Sequence, residues 1–347
     1  MKCCVYVRNF KEKPFFQFFV KHYLNLGFEK IFVLTVRDNY IDNKYNKYNK
    51  YNKYNKYNKY NKKVLGLNVP NLGDSLQDKY KDIIEKQYDW TLCVDIDELL
   101  VLNKKYKNIN EYIQEKLNVD PNINTFYFRW GMIEKYDTNT NTNFEYILNN
   151  YKIFCNGHIK SMVKTTHIES IDNSHFLNLK IPPYIYFEGN ILTYNKVAEH
   201  ILEPNSYEEN VLIHIHTRST HDLIIKSLIT NFTGKKIKDK QKLSNLINNF
   251  NENNEDTPNL LNDFINFVGV KAGLPFHHAN NEVIDKTQIL KWAFNDKSGN
   301  VINLEKEKKM LIKILDKNKI NLQKYLLFTE KLEHYVSLKF NFKHEST

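Results

Sequence analysis

The first hundred residues alternate between strand-like and helix-like patterns, and that alternation restricts the chain to an α/β architecture. Residues 2–7, K-C-C-V-Y-V, read as a short strand ending at Arg8-Asn9. Pro14 suits the first turn of a helix whose apolar face carries Phe15, Phe16, Phe18, Phe19, Tyr23, Leu24 and Leu26, and Gly27 suits its stop. Lys30 to Val36 is again strand-like, so a parallel βαβ unit with a right-handed crossover is expected. Val64 to Val69, a helix over Leu72 to Tyr88 and an apolar strand over Trp90 to Val94 continue the alternation, as in a doubly wound sheet. A helix near Asn110 to Leu117 and a strand over Thr125 to Trp130 extend it.

One stretch interrupts this pattern. K-Y-N repeats six times from Lys44 to Asn61 without an aliphatic residue, a composition that cannot build a core and reads as a low-complexity surface insertion over 43–62. The formal charge of the chain is +10, but eight lysines and no acid lie between Asn43 and Lys63, which leaves the remaining body at +2. The basicity therefore belongs to the insertion and is not a nucleic-acid footprint of the fold. With 41% hydrophobic and 14% aromatic residues, the rest can bury a large core. Cys3, Cys4, Cys93 and Cys155 lack metal-finger or C-x-x-C spacing and suit small core residues in a reducing compartment. No leader and no run long enough to span a bilayer is apparent, so a cytoplasmic or membrane-peripheral protein is expected.

The strand from Trp90 to Val94 delivers Asp95 and Asp97 at its end. Residues two apart on an extended backbone share a face, and two neighbouring carboxylates are stable mainly when they share a cation or a proton. Hard oxygen donors suit Mg2+ or Mn2+, with substrate phosphates completing the shell. His214 and His216 stand in V-L-I-H-I-H-T-R-S, where imidazole can complete a metal shell or bond a phosphate, with Arg218 as a bidentate donor; His175 is a weaker candidate for the same role. Trp130 could stack on an acceptor sugar ring, although a buried tryptophan is the commoner outcome. Lys160, Lys164 and Lys226 are candidate phosphate contacts. No Walker, G-x-G-x-x-G, G-x-S-x-G or H-E-x-x-H motif occurs, which removes the common routes to nucleotide hydrolysis, hydride transfer, serine-esterase and zinc-protease chemistry.

Five segments in order carry a resemblance: V-Y-V-R-N at 5–9, F-x-x-x-H-Y-L-x-L-G-F-E-K-I-F-V at 18–33, D-W-T-L-C-V-D-I-D-E-L-L at 89–100, K-S-M-V-K at 160–164, and H-I-H-T-R-S with Lys226 at 214–226. Together, over roughly residues 2–230, they resemble the family 2-like and family 92-like glycosyltransferases. The resemblance implies an A-type (nucleotide-diphospho-sugar transferase) Rossmann-like sheet, a nucleotide-sugar donor, with a UDP-sugar favoured, and a divalent ion, Mn2+ or Mg2+, at the D-x-D. Asp95 and Asp97 would hold nucleotide and metal, His214 would be the later metal or phosphate ligand, and Asn9 with Asp38 would lie near base and ribose. Phe10 stands where such families usually carry a glutamate. Family 2-like enzymes imply inversion, with a carboxylate as general base; Glu134 is the first candidate here and Asp222 the second. The acceptor would be a glycan, lipid or protein. Residues 1–230 are expected to form the catalytic domain and 231–347 a helical appendage.

Two other classes compete. Asp95-Ile96-Asp97 after a strand also resembles the nucleophile motif of haloacid-dehalogenase-like phosphatases, although Glu98-Leu99 follow in place of the usual glycine and threonine. A scaffold or nucleic-acid-binding protein would use the lysine-tyrosine repeat, and deletion of 43–62 separates that reading from catalysis. An inactive glycosyltransferase-like domain is the third possibility.

Overall fold

The computed structural model describes residues 1–9, 13–36, 63–69, 84–134, 144–171, 175, 177–193, 209–217, 238–251, 259–262, 264 and 304–340. The K-Y-N repeat lies outside the described residues, as do Asp38, Arg218, Asp222 and Lys226. Of the helix expected over Leu72 to Tyr88, residues 84–87 are described and helical.

In chain order the elements are β1 (Cys3–Asn9), α1 (Lys13–Asn25), β2 (Lys30–Val36), β3 (Val64–Val69), β4 (Trp90–Asp95), β5 (Glu98–Leu102), α2 (Ile109–Val119), β6 (Thr125–Glu134), α3 (Phe144–Asn150), β7 (Phe154–Lys164), β8 (Ile168–Ser170), β9 (Asn178–Leu179), β10 (Tyr184–Phe187), β11 (Asn190–Thr193), β12 (Asn210–Thr217), α4 (Lys238–Asn248), α5 (Leu304–Lys317) and α6 (Leu322–Phe340). Among the described residues ten strands form one sheet, ordered β11-β10-β6-β7-β4-β1-β2-β3, with β12 pairing β5 and β6. The block β3-β2-β1-β4 is parallel throughout, which confirms the expected βαβ alternation. β7 and β11 run antiparallel to their neighbours β4 and β10, and β5 runs antiparallel to β12. The chain leaves β1 to build outward through β2 and β3, then returns to place β4 on the other side of β1. The strand order therefore reverses between β1 and β4, where ligands of open α/β sheets bind beyond the carboxyl ends of the strands. Arg8 is paired with Asp95 in that register, so Asn9 and Asp95 end adjacent strands at the switch point.

α1 explains how this corner is held. Phe19 and Tyr23, one helical turn apart, are buried and in ring contact at 4.6 Å. The helix stops at Gly27, as its position predicts: the Gly27 N–H donates to Leu24 O, the Phe28 N–H donates to Tyr23 O, and Phe28 packs edge-on against Tyr23 at 5.5 Å. These are the two hydrogen bonds and the apolar contact of a Schellman stop, and Gly27 takes the positive φ (92°) that the motif requires. A Cβ at Gly27 would also meet Asn108 Cβ at 3.0 Å, because Asn108 caps the adjoining start of α2 by accepting from the Glu111 N–H.

β5 has β12 on one side and α1 on the other. Leu100 turns its backbone toward the helix, where its N–H donates to the Tyr23 hydroxyl and its carbonyl accepts from His22 Nε2–H; the same hydroxyl donates to the carbonyl of Glu98. Two side chains of one helix thus satisfy backbone groups that a further strand would otherwise take.

Two compact units divide the chain: Met1–Trp130 with Gly157–His214, and Gly131–Asn156 with Ile215–Thr347. The second has its own core, in which Leu243, Ile247 and Phe250 of the α4 segment, spaced at helical period, join Leu261, Phe264, Leu315, Tyr325, Phe328 and Leu332. Phe328 sits edge-on to both Phe250 and Phe264.

Candidate active site

Asp95 closes β4, but Asp97 is not its neighbour on a continuing strand. Ile96 and Asp97 form a turn, and Glu98 opens β5. The expected same-face pair of an extended backbone is therefore replaced by a strand-turn-strand corner. A side chain holds it: Glu98 Oε2 accepts the Asp95 N–H at 2.7 Å. β5 then lies antiparallel to β12 with Glu98 opposite His214, so a cross-strand pair brings the two distant segments together.

Five side chains make up the resulting cluster. Lys160 Nζ, on β7, is 0% exposed and stands 2.6 Å from Asp95 Oδ2 and 3.3 Å from Glu98 Oε1. His214 turns Nε2 toward Asp97 Oδ1 at 3.6 Å and Nδ1 toward Glu98 Oε1 at 4.0 Å. Asp97 is 7% exposed and Glu98 0%, whereas the Asp95 side chain is 35% exposed and is the accessible edge of the group. Burial works against the Lys160 charge, but Asp95 and Glu98 together outweigh it and hold the ammonium above the ordinary lysine range. Burial pushes Glu98 up to about 8 despite Lys160, with Asp95 and Asp97 adding to the rise. Near neutrality Glu98 therefore lies within about a pH unit of its midpoint, because a single ammonium does not fully compensate neighbouring carboxylates in a dry site.

Trp130 lies beside this group with Lys160 Nζ 5.6 Å from its ring centre. His158 stacks on it at 4.9 Å and 22°, His175 lies at 5.1 Å, and His214 meets it edge-on at 4.3 Å. At 8% exposure Trp130 is enclosed by imidazoles rather than presented as an open indole face, which corrects the expectation of a stacking platform. His175 Nδ1–H donates to Ile159 O at 2.9 Å. Burial, with the Lys160 charge, pushes His175 down to about 4, so its imidazole is neutral.

The remaining expected residues divide. Asn9 ends β1 beside Asp95, and Glu134 ends β6; both are placed by backbone only. Lys164 pairs with Trp90 at the opposite end of β4 from Asp95, about 16 Å away at the rise of a strand, with its ammonium over the Trp90 ring; it is not part of the cluster. Lys160 is buried as an internal counter-charge and presents no surface to a phosphate. Glu98 and His158 were not singled out by the sequence. The acid following D-x-D directly and the apolar run Leu99 to Leu102 were the available signals for Glu98.

Among the described residues no three His, Cys, Asp or Glu side chains are arranged to enclose a metal ion. Asp97 Oδ1 and His214 Nε2 nevertheless fit two ligands of one ion, since atoms each about 2.1 Å from a cation lie roughly 3 to 4 Å apart. Such an ion would take its remaining ligands from substrate or water, the usual arrangement for Mg2+ and related ions.

The protein is a glycosyltransferase, and its mostly parallel α/β sheet carries the acids at the strand-order switch. Residues 84–266, more than half of the chain, match the profile of Glycosyltransferase family 92, and the chain belongs to that family. This sets aside the phosphatase and scaffold readings. None of the curated proteins compared matches it. Solved structures that match include a mannosyltransferase from Pyrobaculum calidifontis in complex with GDP-Man and Mn2+, at 9% identity over 96% of this chain and 87% of that chain. Its TM-score of 0.26 transfers nothing to the site. No described helix is long and apolar enough to cross a membrane.

Proposed function

We propose that this chain transfers a sugar from a nucleotide-sugar donor to an acceptor hydroxyl, with inversion, using a divalent cation, Mn2+ or Mg2+, held by Asp97 and His214. The observation that carries the reading is the 3.6 Å approach of His214 Nε2 to Asp97 Oδ1 beside Asp95 at the strand-order switch. Bound there, the ion would neutralise charge on the leaving diphosphate. The chain's own residues do the rest. Asp95, the accessible acid, accepts a hydroxyl of the donor, while Lys160 fixes its orientation. Asn9, at the adjacent strand end, serves the nucleotide, and the same role is assigned to Asp38, Arg218 and Lys226, which lie outside the described residues. His158 and the neutral His175, in place of the enclosed Trp130, form the polar and aromatic wall that an acceptor sugar meets. Glu134 or Asp222 takes the acceptor proton as general base. A UDP-sugar is the favoured donor, the acceptor is a glycan, lipid or protein, and residues 1–230 form the catalytic domain with 231–347 as appendage.

The test is a thermal-shift panel of nucleotide-sugars with and without Mn2+ on wild type and Asp97→Asn. A donor at one hundred times its Kd should add about 2.7 kcal/mol, and only when both Mn2+ and Asp97 are present. Equal stabilisation of Asp97→Asn would overturn the assignment of the cation to Asp97.

A further inference from the structure

Glu98 joins the turn after β4 to Lys160 and His214. Its Oε2 holds the Asp95 N–H and so fixes the turn that carries Asp97; its backbone carbonyl is held by Tyr23 of α1; and its Oε1 lies between Lys160 Nζ and His214 Nδ1. That Oε1 is buried and makes no hydrogen bond among the described residues. A buried acceptor in this condition calls for a physical reason, and the group facing it across the β5–β12 pairing is the far nitrogen of the imidazole whose near nitrogen faces Asp97.

We propose that Glu98 is the positioning residue of the cation site, fixing the His214 ring with Nδ1–H toward Glu98 Oε1 and the Nε2 lone pair toward Asp97. The inference rests on the reading that Asp97 and His214 hold the cation. Its logic is general: an imidazole that binds a metal through one nitrogen is oriented, and its tautomer chosen, by an acceptor at the other. At 4.0 Å the Nδ1–Oε1 gap is too long for a hydrogen bond, and a shift of about 1 Å by the ring or the carboxyl would close it. Glu98 itself is fully buried and does not reach substrate, so it acts through His214 and through the turn.

Mn2+ alone, and then Mn2+ with UDP, is titrated into the full chain by electron paramagnetic resonance for wild type, Asp97→Asn and Glu98→Gln. Glutamine keeps an acceptor for the Asp95 N–H, so the variant should melt close to wild type, yet its Mn2+ affinity should fall about 10- to 100-fold. If Mn2+ binds wild type and Asp97→Asn alike, or binds neither, the cation reading itself fails and the inference with it. If Asp97→Asn loses Mn2+ while Glu98→Gln binds as tightly as wild type, the positioning role alone is overturned. Should Glu98→Gln not fold, long-range 1H–15N spectra of His214 in Mg2+-saturated wild type decide: the Nδ1–H tautomer is expected, and the Nε2–H tautomer overturns the proposal.

Discussion

Replacing Lys160 with methionine removes, at nearly constant volume, the ammonium that stands 2.6 Å from Asp95 and 3.3 Å from Glu98. The cost follows from exposure. Asp95 is one-third exposed, so water takes over much of the lost compensation, and that arm is worth little. The Glu98 arm is fully buried on both sides, and stripping one partner from a buried pair typically costs about 3–5 kcal/mol. Without Lys160, Glu98 escapes part of this by taking up a proton, which burial favours, so the low end of that range, about 3 kcal/mol, is expected at neutral pH. For a folding unit of this size that corresponds to a melting temperature lower by roughly 6–12 °C. Scanning calorimetry on Lys160→Met, with circular dichroism to confirm the fold, measures it. A variant within 1 or 2 °C of wild type, which is a change below about 1 kcal/mol, would refute the claim that Lys160 is a buried counter-charge.

Two further outcomes are expected away from the cluster. Burial raises Glu188 from its ordinary 4.5 to about 7 against the opposing charge of Arg129, whose Nη2 stands 3.1 Å from one carboxylate oxygen while the other makes no hydrogen bond among the described residues. Because the folded value is the higher one, the stability it supports is complete below pH 4.5 and is lost as pH rises through 7, at up to about 1.4 kcal/mol per pH unit. Glu188→Gln should flatten the urea-midpoint profile between pH 5 and 7, and an unchanged slope would refute the assignment. Gly27→Ala places a Cβ at positive φ and 3.0 Å from Asn108, which should cost about 1–3 kcal/mol in chemical denaturation. A neutral or stabilising effect would mean that the α1 stop and the α2 cap do not meet as described.

Much of the frame is legible in the amino-acid sequence. The stop at Gly27, the strands over Lys30 to Val36 and Trp90 to Val94, and the alternation that makes β1 to β4 parallel all follow from local pattern. Asp95 and His214 were legible for the same reason, as polar residues set against apolar strands. Lys164 shows the limit: a lysine in a motif-like K-S-M-V-K looks as useful as Lys160, and only the antiparallel register of β7 on β4 sends one to each end of the strand.

What the amino-acid order determined by itself, then, was the α/β alternation, the apolar strand that ends in acids, and the segments that mark the family, because periodicity, turn chemistry and motif spacing are local properties of the chain. Tertiary structure alone decided which of these residues meet. Glu98 faces His214 through strand pairing across more than a hundred residues, Lys160 is buried against two carboxylates, and Trp130 is enclosed by imidazoles brought from β7, β12 and the loop at 175. Side-chain charge and accessibility are set by what lies within a few ångströms in space, and no local pattern encodes those neighbours.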